Sequence, residues 1–405
     1  MADRGDNTAA PLATTMTTVH DVPDDPLELI FLRLSTSLHL VRAACVCKRW
    51  RRVIAGGGFL ARFRSLHARP VVAGHYLVDE RKHGSRPPGC NPIFSLSASA
   101  DTAGMWPQHF SLGFLPDSRG GRGWDLADSR DGVLLLTRCA GFGESNYWPC
   151  LVVCDPTTRR CSRVISYPWF LRDWCSLGAF LLDGNGGSIS PSNFRIIIAA
   201  AYDQGAVTTS VFTSADDNWR VGGIPYARPW GGFFFLAGNT QDAVYWTAWN
   251  TNNRRSEVIA LDKRTQEFSS SLFPAQLPYR CDPQLRAVRC NDGVVRIALL
   301  YRNLLRTFGR RNNLGRDEWA EERTIPLPQS IWGLQGSGKR LRMPMKILTV
   351  VEGSVVLGTA RGSGIISVDL STMKFKGMSN GDKYSNGQAY EYQLPWPPTI
   401  RACLD

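Results

Sequence analysis

The sequence predicts two structural classes in one chain, a small helical unit followed by an all-β, propeller-like domain of roughly six blades. Three observations predict this fold. Apolar residues recur at helical spacing near the N-terminus, short β-type runs separated by Gly, Pro, Asn and Asp fill the remainder, and an Asp-containing turn recurs at a fixed interval. The 405 residues suffice for one small and one large domain.

The helical unit is predicted over residues 21–67, after residues 1–20, which show no apolar period and are expected to be disordered. Asp25 can cap the first helix, Pro26 suits its first position, and Glu28 completes a capping box. One apolar stripe follows at positions i, i+3, i+4 and i+7, namely Leu27, Ile30, Phe31 and Leu34.

Further helical segments follow the first. Ser37 can cap a second segment, and the helical period then continues to the glycines at 56–58 through Leu38, Val41, Cys45, Val46, Trp50, Val53 and Ile54. Phe59, Leu60 and Phe63 indicate a short last helix. Because about 45 residues bury little apolar surface alone, we expect this unit to need a partner chain or the rest of the protein.

Residues 68–405 read as short strands. The clearest runs are 132–137, 151–154, 195–201, 208–213, 233–236, 243–248, 257–261, 294–300, 347–351, 355–358 and 364–368. Asp155, Asp262 and Asp369 each end such a run, and they lie 107 residues apart twice over. Because each interval holds two units of about 53 residues, the period predicts four-stranded propeller blades. Two stacked β-sandwiches, the alternative, would not naturally give a period that spans the sequence.

Two other landmarks recur in the strand-rich part. An acidic residue followed by Gly enters a core strand at Asp131, Asp292 and Glu352. An Asp-x-Trp stretch begins in turn-like polar sequence at Asp217 and again at Asp317. These landmarks support a repeated strand-turn-strand unit.

The helical segment resembles an F-box across nearly the whole motif. The resemblance rests on Val22-Pro23, the stripe formed by Leu27, Ile30 and Leu34, the Val46-Cys47-Lys48-Arg49-Trp50 signature and the terminal Phe59-Leu60. The sequence departs from the motif at Val22, where Leu is usual, and at Pro26. The segment that begins at Asp131 and residues 153–159 resemble the repeats that follow the F-box in plant F-box proteins.

This resemblance implies a substrate receptor of an SCF-type, cullin-based ubiquitin ligase, in which the F-box docks on the adaptor subunit and the C-terminal domain presents a protein client. By position in the motif, the adaptor contacts would be Pro23, Leu27, Ile30, Leu34, Val46, Cys47 and Trp50. The alternative is that the stripe packs on the propeller and that Trp50 is an ordinary core residue.

The chain is basic, with a net charge of +12 and a pI near 9.3. Residues 296–346 contain 11 basic and 4 acidic groups. We predict a client surface for an acidic or phosphorylated segment in loops of this region, formed by Arg306, Arg310, Arg311, Lys339, Arg340 and Arg342. A solvated loop region explains the charge equally well, and direct binding of nucleic acid is the rival function.

The sequence indicates no catalytic residue, metal site or cofactor. All six histidines lie between His20 and His109, so the last 296 residues lack the commonest general base and metal ligand. The Walker-like run at 333–339 has Arg340 where Ser or Thr would bind Mg²⁺. Eleven scattered cysteines indicate reduced, mostly buried thiols, and no export or membrane signal is present. We therefore expect a non-enzymatic protein of the nucleus, the cytoplasm or both.

Overall fold

The structure is a computed structural model of the 405-residue chain. It describes residues 22–67, 71–78, 91–97, 105–116, 123–138, 150–171, 174–202, 206–222, 226–227, 230–252, 254–274, 284–290, 292–301, 304–313, 316–327, 345–351, 353–359, 365–378 and 389–395. The four described α-helices belong to one compact unit, and Val72–Pro395 form a second.

The helical unit has four helices in its described part, α1 (Asp24–Leu32), α2 (Ser37–Val46), α3 (Lys48–Ile54) and α4 (Gly57–Leu66). The predicted caps are wrong. Pro23 precedes α1 and provides no side-chain cap, so Asp25 lies within the first turn. A carboxylate at this position still stabilises the helix through its interaction with the helix dipole. Thr36 caps α2 in place of Ser37, because its hydroxyl accepts a hydrogen bond from the His39 N–H at 3.3 Å.

The core of the helical unit is small. Phe31 packs its ring against Trp50 in an edge-on contact, with centroids 5.1 Å apart. Arg49 bonds Asp24 at 2.8 Å and thereby ties α3 to the start of α1, and Arg62 pairs with Glu28. The fully buried apolar residues are Leu27, Phe31, Leu40, Ala44, Ile54, Phe59 and Phe63.

The second unit consists of antiparallel sheets. Its first strands in the chain are β1 (Val72–Leu77) and β2 (Ile93–Leu96). Blade 1 contains β3 (Asp125–Arg130), β4 (Val133–Arg138), β5 (Cys150–Asp155) and β6 (Arg160–Cys161), and β7 (Ile165–Ser166) also pairs with β5. Blade 2 contains β8 (Cys175–Leu182), β9 (Arg195–Ala201), β10 (Ala206–Thr213) and β11 (Asn218–Val221), and β12 (Tyr226–Ala227) pairs with β10.

Three four-stranded sheets follow. Blade 3 contains β13 (Trp230–Asn239), β14 (Ala243–Asn250), β15 (Arg255–Asp262) and β16 (Phe268–Leu272). Blade 4 contains β17 (Gln284–Arg289), β18 (Val295–Tyr301), β19 (Leu304–Asn313) and β20 (Arg316–Pro326). Blade 5 contains β21 (Met345–Val351), β22 (Ser354–Thr359), β23 (Ile365–Asp369) and β24 (Phe375–Met378).

Blade 6 closes the ring with strands from both ends of the unit. The last strand, β25 (Ala389–Gln393), pairs with β1, which pairs with β2. The Tyr392 hydroxyl donates to the Gly132 carbonyl of blade 1 at 3.0 Å. Gly132 has a φ of +81°, and a Cβ there would lie 2.7 Å from Pro395, so only glycine fits this turn. The prediction of a helical unit followed by a six-bladed β-propeller is confirmed.

The recurring Asp turns occupy equivalent places in alternate blades. Asp155, Asp262 and Asp369 end the third strand of blades 1, 3 and 5, before the turn into the fourth strand. In each turn the carboxylate accepts backbone N–H groups two and three residues later, at 2.7–3.4 Å. Thus the 107-residue interval predicted from sequence is the spacing of two blades.

The core lies between the blades, and the strand period decides which side chain enters which layer. In β4, Leu134 and Leu136 face blade 6, whereas Val133 and Leu135 face blade 2. This alternation is the two-residue period of a strand buried on both faces.

A buried carboxylate joins three blades at one rim of the ring. Asp128 of β3 is 5% exposed and accepts hydrogen bonds from the Leu181 N–H of β8 at 2.8 Å and from the Asn239 side chain of β13 at 2.7 Å. Burial raises the pKa of Asp128, while Lys263, itself 8% exposed, acts in the opposite direction. The Asp128 carboxylate therefore connects the inner strands of blades 1, 2 and 3 at this rim.

Candidate functional site

The first candidate site is the apolar surface of the helical unit. Ile30 on α1 is 53% exposed, Val46 at the end of α2 is 64% exposed, and Pro23 is also in solvent. Leu29, which the sequence did not single out, is 61% exposed beside Ile30. Since exposed large aliphatic side chains cost hydration free energy, this surface is suited to burial against another molecule.

Three other predicted contact residues are half-buried. Leu34 and Trp50 pack against the core cluster of the unit. Cys47 lies between α2 and α3, where its Sγ accepts the Trp50 N–H at 3.4 Å and caps α3. These three side chains support the helices and present only part of their surface to solvent.

Leu27, the remaining residue predicted to contact the adaptor, differs from the others in its burial. Leu27 is 1% exposed and belongs to the unit's own core with Phe31. The predicted single stripe divides because a helix turns about 100° per residue, which places Ile30 about 60° away from Leu27 around the axis. Leu27 and Phe31 therefore face inward, and Ile30 lies on the solvent-exposed flank.

The second candidate site is the basic region of the propeller, and here the predicted loop is a hairpin. Arg306, Arg310 and Arg311 lie in β19, which pairs with β20 over nearly its whole length. The sequence resembles a loop because polar residues alternate with apolar ones along both strands. This alternation is typical of an outer hairpin that has one face in solvent. The tip of the hairpin extends beyond β18, whose pairing with β19 ends at Arg296 and Gly309.

Much of the positive charge in this hairpin is used inside the fold. Arg306 pairs with Glu321 across the strands and thereby lowers the pKa of that carboxyl. The guanidinium of Arg310 lies 5.7 Å from the ring centroid of the buried Trp319. In the neighbouring strand β18, Arg296 pairs with Asp292 at 2.7 Å and with Glu322 of β20 at 2.8 Å.

The six predicted client residues are not brought together by the described part of the fold. Arg306 and Arg310 have the contacts given above, and Arg311 is exposed opposite Glu318. Lys339, Arg340 and Arg342 lie outside the described residues, as do the Walker-like run at 333–339 and the predicted disordered segment 1–20. A concerted basic surface is therefore still a prediction.

The F-box-like family model matches residues 19–66 of the chain. This range covers all four helices and the exposed residues on α1 and α2. The helical unit is an F-box-like domain. Its Val46 to Trp50 segment, which carried the resemblance in sequence, forms the junction of α2 and α3.

Comparisons of the chain with solved structures give weak likenesses. The chain is similar to the periplasmic gluconolactonase PpgL of Pseudomonas aeruginosa, with 12% identity and a TM-score of 0.37, over 80% of this chain and 99% of that one. Apo AztD from Citrobacter koseri shows 11% identity and a TM-score of 0.32, over 67% and 62%. The β-propeller domain of the Trilobed protease from Pyrococcus furiosus shows 9% identity and a TM-score of 0.34, over 63% and 70%.

At TM-scores this low, nothing about activity follows from these structures. The match spans 62% and 61% of the lengths of the two AztD structures. No curated protein matches this chain. The F-box-like domain is therefore the part of the chain that points to a function.

No group of three or more His, Cys, Asp or Glu side chains in the described ranges is placed to hold a metal ion. None of the described helices is both long and apolar enough to cross a membrane.

Proposed function

We propose that this protein is the substrate-receptor subunit of an SCF-type cullin–RING ubiquitin ligase. The observation that carries the proposal is an F-box-like domain whose exposed apolar residues, Leu29, Ile30 and Val46, are left outside its own core. Docking on the adaptor subunit would bury them, and the cullin would join through that adaptor. The likeness of residues 153–159 to plant F-box-associated repeats favours a receptor of the plant type, acting in the nucleus, the cytoplasm or both.

In this proposal the propeller holds the client protein. Blade packing consumes both faces of the inner strands, so the turns and outer hairpins are the parts free to recognise a partner. Arg311, together with Lys339, Arg340 and Arg342, is the proposed contact for an acidic or phosphorylated client segment. Arg306 and Arg310 are left out, since both support the blade 4 hairpin.

The chain contributes no catalytic group or cofactor in this proposal. Ubiquitin transfer takes place on other subunits, and the receptor supplies proximity by holding the client in reach. The docking of two aliphatic side chains such as Ile30 and Val46 contributes about 3 kcal/mol, or roughly a hundredfold in affinity.

The docking proposal is tested by co-purification of the full chain with an SCF adaptor subunit. Ile30→Asp combined with Val46→Asp is expected to lower adaptor recovery at least tenfold while leaving circular dichroism unchanged. Leu66→Asp is the matched control, because Leu66 on α4 is 64% exposed and lies outside the predicted contact set. Full adaptor recovery with the double variant, or an equal loss with the control, would contradict the proposal.

The client proposal is tested by affinity purification with the proteasome blocked. Arg311→Glu with Lys339→Glu and Arg340→Glu should weaken client capture and leave adaptor recovery unchanged. Lys346→Glu, an exposed cation on β21, is the control. Capture of nucleic acid in place of protein, with binding that falls steeply as salt is added, would instead support the rival function.

A further inference from the structure

Two cysteines of blade 1 face each other across neighbouring strands. Cys154 lies near the end of β5, and its register partner in β6 is Cys161. The pair is next to the Asp155 turn, at the outer edge of the blade. Cys154 and Cys161 form no disulfide in the structure, so this pair is in its reduced form.

The backbone hydrogen bonds define the type of pair. The Ser162 N–H donates to the Val153 carbonyl at 2.7 Å, so Val153 and Ser162 form a hydrogen-bonded pair. Because the two kinds of pair alternate along an antiparallel ladder, the next pair, Cys154 and Cys161, is not hydrogen-bonded. The Cα atoms of such pairs are about 4.5 Å apart, which falls within the range that a disulfide spans.

Other blades show how side chains behave at this position. The equivalent pairs, one step before the third-strand turn, are Phe212 with Trp219, Leu261 with Phe268 and Val368 with Phe375. The rings of Phe212 and Trp219 are in contact, with centroids 5.4 Å apart. Side chains at this position therefore meet on one face of the blade, and blade 1 places two thiols where blades 2, 3 and 5 place apolar side chains.

The two thiols differ in exposure. Cys161 is exposed on the edge strand, whereas Cys154 is 0% exposed. Burial raises the pKa of Cys154 far above its ordinary value. Since the thiolate is the nucleophile, Cys161 is expected to react first and Cys154 second.

We propose that Cys154 and Cys161 form a redox-responsive dithiol, which a low-molecular-weight disulfide such as oxidised glutathione converts into a cross-strand disulfide. The Cys161 thiolate attacks one glutathione sulfur, which breaks the glutathione disulfide and releases the first glutathione thiol. Cys154 then loses its proton, and its sulfur attacks Sγ of Cys161 and releases the second. Two protein thiols are oxidised and one glutathione disulfide is reduced, so atoms and electrons balance.

This bond would fix the short strand β6 to β5. β6 has only two residues, both exposed, and its neighbour β7 pairs with the opposite end of β5. Oxidation would therefore fasten the outer edge of blade 1 without moving its inner strands. This inference does not depend on the proposed receptor function, because it concerns only the thiols of the propeller.

The test uses the full chain, treated with oxidised glutathione, alkylated and digested with trypsin. Arg159 and Arg160 separate the two cysteines, so cleavage there leaves two peptides joined only by the disulfide. Mass spectrometry is expected to find them linked, with two thiols lost per chain, and dithiothreitol should release them.

Three variants distinguish this outcome from ordinary surface oxidation. Cys161→Ser should abolish the linked peptides and leave Cys154 a free thiol, and Cys154→Ala should leave Cys161 carrying glutathione. Cys175→Ser, which removes an exposed cysteine of blade 2, should not affect the link. If the wild-type chain holds glutathione on Cys161 while Cys154 stays free, or if Cys154 links elsewhere in Cys161→Ser, the proposal is wrong. Because Cys161→Ser changes only an exposed residue, this variant still tests the proposal if Cys154→Ala fails to fold.

Discussion

The F-box-like domain and the propeller use their surface residues in different ways. The domain completes its core and still leaves Ile30 and Val46 largely in solvent. The propeller uses much of its apparent surplus of charge internally, since Arg296 and Arg306 pair with acids of the same blade. Apolar side chains that the F-box-like domain does not bury therefore remain on its surface. In the propeller, many of the extra cations instead form ion pairs within the fold.

The difference shows which sequence signals point to a partner. An aliphatic side chain on a solvent-exposed helix flank gains little from its own domain, so its apolar character indicates burial elsewhere. A charged side chain on an outer strand can be satisfied by a cross-strand partner. A count of cations in the sequence therefore overestimates the number of residues that are available to bind a partner. The apolar stripe underestimates that number, because it does not include the exposed Leu29.

The largest expected effect is in the charged network of the propeller. Asp128→Ala leaves the buried Leu181 N–H and the Asn239 amide without their acceptor and should destabilise the propeller by about 4 kcal/mol. Urea denaturation measures this loss. Asp242→Ala is the control, because its carboxylate is 70% exposed and pairs with the partly exposed Arg289. Equal losses of stability in the two variants would contradict the structural role assigned to Asp128.

The next effect separates the two sides of α1. Leu27→Ala should destabilise the F-box-like domain by about 3 kcal/mol, because it opens a cavity in a small core. Ile30→Ala, on the exposed flank, should change stability by less than about 0.5 kcal/mol. Hydrogen exchange over residues 22–67 reports both. Similar destabilisation by the two variants would show that the inner and outer faces are not distinct.

A smaller effect concerns the turn carboxylates and carries a pH dependence. Asp369→Ala should cost about 1 kcal/mol, since it removes the acceptor for Ser371 and Thr372. Hydrogen bonds from the Ser371 and Thr372 hydroxyl and backbone groups lower the pKa of Asp369. Its contribution is therefore complete above the ordinary aspartate pKa and is lost as the pH falls through the lowered value.

Stability curves of the wild type and Asp369→Asn, measured across acid pH, check this prediction. The asparagine keeps an acceptor oxygen but has no carboxyl proton to bind. The difference between the two chains should shrink as the pH falls, and a constant difference would contradict the assigned cause.

The smallest effect divides the cations of the basic hairpin. Arg306→Ala should cost about 0.5 kcal/mol, because it breaks a partly exposed pair with Glu321. Arg311→Ala should be nearly neutral for stability, as expected for an exposed strand residue. Thermal denaturation measures both, and a larger loss for Arg311→Ala would reverse the roles assigned to the two arginines.

The strands were predictable where local sequence decides them. The apolar runs in β9 and β15 are bounded by turn residues, and both strands form where the runs lie. Helix positions were likewise predictable from the apolar period, but the first turn of α1 was not, since a capping box at Asp25 is plausible whenever Pro26 follows. The fold begins the helix two residues earlier, and Pro23 supplies the first carbonyl to the Leu27 N–H at 3.3 Å.

By itself the sequence determined the order of the two folds, the spacing of the blades and the identity of the F-box-like segment, because these depend on residues close together in the chain or repeated at a fixed interval. The tertiary structure alone decided that Leu27 is core and Leu29 is surface, that Asp128 holds three blades together, and that Cys154 faces Cys161. These relations depend on which face of an element meets its neighbour. A side chain's neighbours across the fold are set by packing, which a linear pattern constrains but does not specify.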